Sequence, residues 1–345
     1  MRSRYLAAAT AAAALLVGGL AFAPASASSQ MRPTQVFAPY FEAYLPDSLT
    51  AVTAQSGVKF VTMAFLQAPT KKGTGACALS WNGVQLISKG GYRYGFKRLR
   101  SEGGDAIVSF GGYSADEDGT EIADACHSVK AIATAYERLV KWYGVRRLDM
   151  DIEANSLTNS SGINRRDQAI TLLERWARAR GIPLWIQFTL GVEPTGFDQP
   201  TMAVLRNAIK NHTRVNSINL MVFDYYLGDE KKPLNMGALA IKSAETVHHQ
   251  LEKLYRRLSS RQIWRMLGFT MLPGIDDYPG RTEITHLSDA RVMLNFARAE
   301  QMDFLSIWAL QRDHGKCPGV IDGNYCSGIK QPKWAFSHLL EPFTN

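Results

Sequence analysis

The stretch Arg147-Leu148-Asp149-Met150-Asp151-Ile152-Glu153 alternates charged and apolar side chains without a break. A period of two marks a β-strand, so Asp149, Asp151 and Glu153 share one face and Leu148, Met150 and Ile152 share the other. The apolar face packs beneath helices, which turns the three carboxyl groups towards an interior where unpaired charge is expensive. A purely structural role is hard to defend there. Crowded carboxylates cannot all ionise, so at least one keeps its proton and its pKa rises towards neutrality. Such a group is suited to general acid chemistry.

Seven further β-branched or apolar runs accompany this strand, at 35–39, 59–65, 106–110, 184–190, 217–223, 266–270 and 304–308. Helical periodicity separates them, most clearly over 121–143, 166–180, 202–211, 237–258 and 289–300. Strand and helix alternate about every 40 residues, which predicts parallel strands with helical crossovers. Eight such units in one chain predict an α/β fold, a single (β/α)8 TIM barrel. A doubly wound open sheet would announce its ligand site by a glycine-rich first turn, whereas Tyr40-Phe41-Glu42 follows the first strand here. In a barrel, function gathers at the carboxyl ends of the strands, which is where Glu153 falls.

The chain has 345 residues, 46% apolar and 20% charged, a composition that excludes disorder, collagen and coiled coil. Met1-Arg2-Ser3-Arg4, the Ala-rich run to Phe22 and Ala25-Ser26-Ala27 read as a signal peptide over 1–27, leaving a catalytic barrel over 28–345 and predicting a secreted, extracellular protein. No later run has membrane-spanning length, so no membrane partner is expected. The net charge is +8, and +6 without Arg2 and Arg4 of the leader. Arg146-Arg147 and Arg165-Arg166 are only pairs, so the excess is read as solubility, with no nucleic acid as partner and a monomeric chain.

Four cysteines in an exported chain predict two disulfides, for which three pairings exist. Cys317 and Cys326 lie nine apart in a Pro/Gly-rich loop and are expected to pair, leaving Cys77 with Cys126. No C-x-x-C occurs and no His stands at ligand spacing, so no metal is expected. Asp116-Glu117-Asp118-Gly119 lacks the full calcium-loop pattern, and His248-His249 sits in a helical stretch as surface.

The strand 147–152, with Glu153 at its end, resembles the fourth strand of glycoside hydrolase family 18, the chitinases and endo-β-N-acetylglucosaminidases, which carries D-x-x-D-x-D-x-E. Ser109-Phe110-Gly111-Gly112 is similar to the family's S-x-G-G, and Met221-Val222-Phe223-Asp224 to its M-x-Y-D. Trp308 stands where the family keeps a tryptophan, and Phe37-Ala38-Pro39-Tyr40 with Trp308-Ala309-Leu310-Gln311-Arg312-Asp313 resembles one bacterial chitinase subgroup. Arg146 replaces the first Asp of the strand motif and Phe223 the Tyr of the sixth-strand motif.

The resemblance implies a chitinase acting on chitin or N-acetylglucosamine oligosaccharides without a cofactor. It implies a retaining, substrate-assisted reaction in which the sugar's acetamido group is the nucleophile. Glu153 is then the acid, Asp151 orients the acetamido N–H, and Asp149 supports Asp151. Asp224 is suited to the acetamido group or a sugar hydroxyl, with Tyr225 supplying a hydroxyl to the carbonyl oxygen and Trp308 a flat face for the sugar. Gly112 permits close backbone approach, and Met221, Tyr40 and Tyr113 are taken as groove residues. Trp81, Tyr226 and the Asp276-Asp277-Tyr278 run complete the aromatic and polar candidates. An endo-β-N-acetylglucosaminidase would use the same acid, and a silent chitin-binding lectin would share the barrel.

Overall fold

The computed structural model describes residues 35–345 apart from Lys72, Thr74, residues 228–232, residues 279–281 and Asp322. The expected leader, 1–27, lies outside the described residues. The first expected strand is split into β1 (Val36–Phe37) and β2 (Tyr40–Glu42). It is followed by β3 (Phe60–Gln67), the short β4 (Ser80–Trp81) and β5 (Gln85–Leu86), β6 (Asp105–Gly111) and β7 (Arg147–Ile152). Then come β8 (Trp185–Gly191), β9 (Ser217–Met221) and β10 (Leu267–Met271). A hairpin of β11 (Gly274–Ile275) and β12 (Ile284–Thr285) precedes β13 (Phe304–Ile307).

The parallel neighbours run β1, β13, β10, β9, β8, β7, β6, β3, with β2 pairing β3. Val36 lies opposite Phe304, and Tyr40 opposite Thr62. The first strand therefore joins the last to the second. The changeover falls at Ala38 and Pro39: Ala38 N–H still donates to Leu305 at 2.9 Å, whereas the Pro39 carbonyl already accepts from Thr62 at 2.9 Å. Proline has no N–H to give, so a ladder naturally changes partner there.

The helices are α1 (Leu49–Ser56), α2 (Arg93–Ser101), α3 (Tyr113–Glu117), α4 (Ile122–Ala125) and α5 (Val129–Tyr143). They continue with α6 (Ser160–Arg178), α7 (Gln199–Lys210), α8 (Met236–Leu254), α9 (Ser260–Trp264), α10 (Leu287–Ala299) and α11 (Ala335–Leu340). The single helix expected over 121–143 is two, because Cys126 is extended and Ser128 caps α5 by accepting from Ala131 N–H. Cys126 is bonded to Cys77, and Cys317 to Cys326, as expected. His248 is a correction: its ring is buried against Trp264, 4.3 Å between centroids, and only His249 is at the surface.

Position 146 falls on the outer parity of β7, and the Arg146 guanidinium donates to the Val145 carbonyl. The innermost charge is that of Arg147, which pairs with Asp303 and donates to Gln187 and Ser217. A buried cation at the amino end of the strands is thus neutralised before the acidic layers begin.

Candidate active site

Asp149 is fully buried one layer above Arg147, and four donors converge on it. Tyr40 Oη (2.8 Å) and Ser109 Oγ (2.7 Å) reach Oδ2, while Thr189 Oγ1 (2.7 Å) and Gln187 Nε2 (3.0 Å) reach Oδ1. Burial pushes its pKa up and the hydrogen bonds pull it back down. Tyr40 is therefore not a groove residue: it is buried inside the ring, because the parity of β2 sends it inward to Asp149.

Asp151 differs from its neighbour. Its side chain is buried and Oδ1 has no hydrogen-bond partner. Burial, then Glu153, Asp149 and Asp116, hold its pKa well above the carboxylate range. Asp149 is the better hydrogen-bonded member of the pair and Asp151 the one that keeps a proton. Glu153, at the rim, has its pKa pushed up to about 7 by burial, with the Tyr113 N–H opposing and Asp277 adding to the rise.

Glycine is required beside this strand end. Gly111 and Gly112 have φ of +88° and +80°, and Gly112 N–H donates to the Asp151 carbonyl at 3.1 Å. A Cβ on Gly111 would meet that carbonyl oxygen at 2.3 Å, and one on Gly112 would meet the Phe65 ring at 2.6 Å. Trp308 is half-buried, stacked on Phe65 at 5.5 Å and edge-on to Tyr40 at 5.4 Å. Tyr113 is 63% exposed at the mouth, and Met221 ends β9 half-buried.

Asp224 adopts φ of +52° beyond β9, its backbone N–H donates to Asp276 Oδ2 at 3.2 Å, and its own buried Oδ1 has no hydrogen-bond partner. Burial, then the adjacent Asp276 carboxyl, raise its pKa to about 9. With Asp277 the two form a rim of acids. A protonated Asp224 is a poor ligand for a cation. Tyr225 is a second correction, since it packs away from the cleft with Oη 3.2 Å from Ser243 of α8. Tyr225 therefore does not stand in for the hydroxyl that Phe223 lacks, whereas its neighbour Tyr226 is 68% exposed, lies against Tyr278 at 4.8 Å between centroids, and stands within the field of the cleft acids Asp224 and Glu153. Trp81 is core, edge-on to Tyr92 and Phe96.

Three carboxyls escaped the sequence reading. Asp116 is buried in α3 and accepts the Glu153 backbone N–H at 2.7 Å, so the acidic run 116–119 turns its first member inward and forms no calcium loop. Glu42 is buried, bonded to Tyr44 Oη at 2.5 Å, with Oε2 unpartnered. Glu283 accepts from Tyr225 N–H, Leu227 N–H and Tyr278 Oη, tying the turn after β9 to the β11–β12 hairpin. Glu42 shares the parity of Tyr40 and was legible; Asp116 lies in a five-residue helix and Glu283 in the connection before β12, both too short to carry a periodic signal.

A ring of parallel strands with stacked carboxyls ending in a half-neutral glutamic acid is the architecture of a barrel glycosidase. No protein-family model matches the chain. It is 28% identical over 325 residues to a probable bifunctional chitinase/lysozyme of Escherichia coli (strain K12), covering 90% of this chain and 35% of that protein. It is 28% identical over 290 residues to endochitinase 11 of Metarhizium anisopliae, covering 81% and 53%. The chain thus spans about a third to a half of the length of these relatives. Among solved structures, active domain 2 of a Pyrococcus furiosus chitinase superposes with a TM-score of 0.78 at 27% identity, over 90% of this chain and 95% of that one. A family 18 chitinase from Cycas revoluta, in complex with (GlcNAc)3, shares the fold at TM-score 0.59 and 11% identity, over 89% and 99%. The chain is thus similar in sequence to chitinases and shares the barrel fold of family 18 chitinases.

Proposed function

We propose that the protein is a secreted chitinase that hydrolyses β-1,4-linked N-acetylglucosamine with retention, through the substrate's own acetamido group. The observation that carries this reading is the contrast between Asp149, saturated by four donors, and Asp151, whose buried Oδ1 has none. An unsatisfied buried acceptor beside the acid is what an acetamido N–H completes.

In this mechanism Glu153, with a pKa near 7, gives its proton to the glycosidic oxygen as the bond to the anomeric carbon breaks. The acetamido carbonyl oxygen attacks that carbon from the opposite side, forming an oxazolinium ion whose N–H is held by Asp151. Water then adds at the anomeric carbon, giving its proton to Glu153, and the ring opens with the original configuration. Asp224, protonated up to about pH 9, donates to a sugar or acetamido oxygen, and the half-buried indole of Trp308 receives the sugar's C–H face.

The test is product analysis on chitin hexasaccharide with anomeric configuration followed early, beside Glu153→Gln. Shorter β-anomers from the wild type alone support the proposal. Unchanged turnover in Glu153→Gln, or α-anomeric products, would overturn it.

A further inference from the structure

We propose that the amino-terminal face of the barrel, opposite the cleft, is a docking surface for an acidic polysaccharide, a polymer carrying sulfate or carboxylate groups. In sequence the chain's cations are scattered singly and in pairs. The ring gathers them, because every connection from a helix back to the next strand ends on this face, and β8, β9 and β10 are adjacent.

The connection into β8 brings Arg178 and Arg180, and that into β9 brings Lys210 and Arg214. The longest, into β10, contributes Arg256, Arg257, Arg261 and Arg265. All eight are exposed, and among the described residues none makes an ion pair within 4.0 Å. The backbone links two of the connections, since Arg214 N–H donates to Glu174 of α6 at 3.3 Å. Across the three connections, taken as 174–183, 206–216 and 252–265, Glu174 and Glu252 are the carboxylates.

The opposite end is acidic: Glu42, Asp151, Glu153, Asp224, Asp276 and Asp277 all end or follow strands. A chain of net charge +8 whose cleft is lined by acids has its excess positive charge concentrated away from the cleft. The uncharged sugar of the proposed reaction does not call for such a face. A linear polyanion does, because several arginines along separate connections meet several of its charges at once. Nucleic acid is less suited, because among the described residues of these three connections no exposed aromatic is free to stack a base: Trp264 is covered by His248, and Trp176 by Arg180 and Lys141, while the exposed Trp142 belongs to the separate connection into β7. A bilayer is less suited because the cations come from three loops and no apolar helix face accompanies them.

The experiment measures binding of the full chain to heparin and to polygalacturonate by titration in 50 and 200 mM NaCl, with duplex DNA and anionic phospholipid vesicles as separate arms. The variant is Arg256→Glu/Arg257→Glu/Arg261→Glu. A second, Arg178→Gln/Lys210→Gln/Arg214→Gln, removes charge from the other two connections without reversing it. Melting temperature and turnover of a soluble chito-oligosaccharide, expected unchanged in both, report folding and the cleft independently. The proposal expects wild-type binding to at least one polysaccharide, weakened by salt, and lost about tenfold or more in each variant. Binding that is absent at 50 mM NaCl, equal in the variants, or confined to DNA or to vesicles overturns it. These outcomes do not depend on whether the cleft is a chitinase.

Discussion

Asp116 Oδ2 accepts the backbone N–H of Glu153 at 2.7 Å, so a side chain from α3 fixes the point at which β7 delivers its last carboxyl group. Burial, then the charge of Glu121, raise the Asp116 pKa to about 9, so at neutral pH it is a neutral hydrogen-bonding group and asparagine is its near isostere. As a positioning residue, Asp116 acts through Glu153. Asp116→Ala should lower kcat about tenfold with KM little changed, since a small displacement of the acid spoils proton transfer more than sugar binding. Asp116→Asn should restore most of kcat. Equal losses in both variants, tracking their melting temperatures, would reduce Asp116 to a packing residue.

The alkaline limb of the pH–rate profile should fall near pH 7, where Glu153 loses its proton. Burial is the main cause of that raised value, and Asp277 adds like-charge repulsion. Removing the repulsion in Asp277→Asn lowers the Glu153 pKa, so the limb should move to lower pH. A limb that stays fixed, or moves up, would show that another group controls it.

The acid-bearing strand was legible because its two faces differ at every residue, and the observed β7 has the bounds read from the sequence. Helix α1, Leu-Thr-Ala-Val-Thr-Ala-Gln-Ser, went unseen: it has no charged face, and its identity rests on the Ser48 cap and the Gly57 stop. The inward turn of Tyr40 and the outward turn of Tyr225 show the limit of reading side chains near strand ends. Tyr40 obeys strand parity, whereas Asp224 at φ +52° breaks the alternation just before Tyr225, and nothing in the residue types announces a left-handed Asp. The basic face was invisible for a different reason: its members are up to 87 residues apart, Arg178 to Arg265, and only ring closure assembles them.

Glu42 gives a stability test. Its folded pKa is pushed up to about 8, mainly by burial, against an ordinary carboxylate value when unfolded. The folded state therefore binds the proton more tightly, and the contribution is fully present below about pH 4 and lost as pH rises through 8. Above pH 8 the wild type carries a buried carboxylate that Glu42→Gln lacks, and the amide oxygen can still accept from Tyr44 Oη. The melting temperature of Glu42→Gln relative to wild type should rise between pH 6 and pH 9. A difference independent of pH would mean that Glu42 is ionised and satisfied in the fold throughout.

The two disulfides should separate stability from function. Cys77–Cys126 closes 49 residues and Cys317–Cys326 closes nine. On the chain-entropy account these loops correspond to about 4 and about 3 kcal/mol respectively. Cys126 is also fully buried at the break between α4 and α5, so Cys77→Ser/Cys126→Ser adds a lost apolar contact and should have the lower melting temperature. The shorter loop has a different attachment. The Ser327 carbonyl, one residue past Cys326, accepts Ile275 N–H at 2.8 Å, and a Cβ on Gly274 would meet that same oxygen at 1.8 Å, so the end of this loop seats β11 directly before Asp276 and Asp277. Cys317→Ser/Cys326→Ser should therefore raise KM, or shift the alkaline limb that Asp277 influences, at a smaller cost in melting temperature. If that variant instead lost more stability than the other with KM unchanged, the loop would be a clamp on the fold, with no part in shaping the rim.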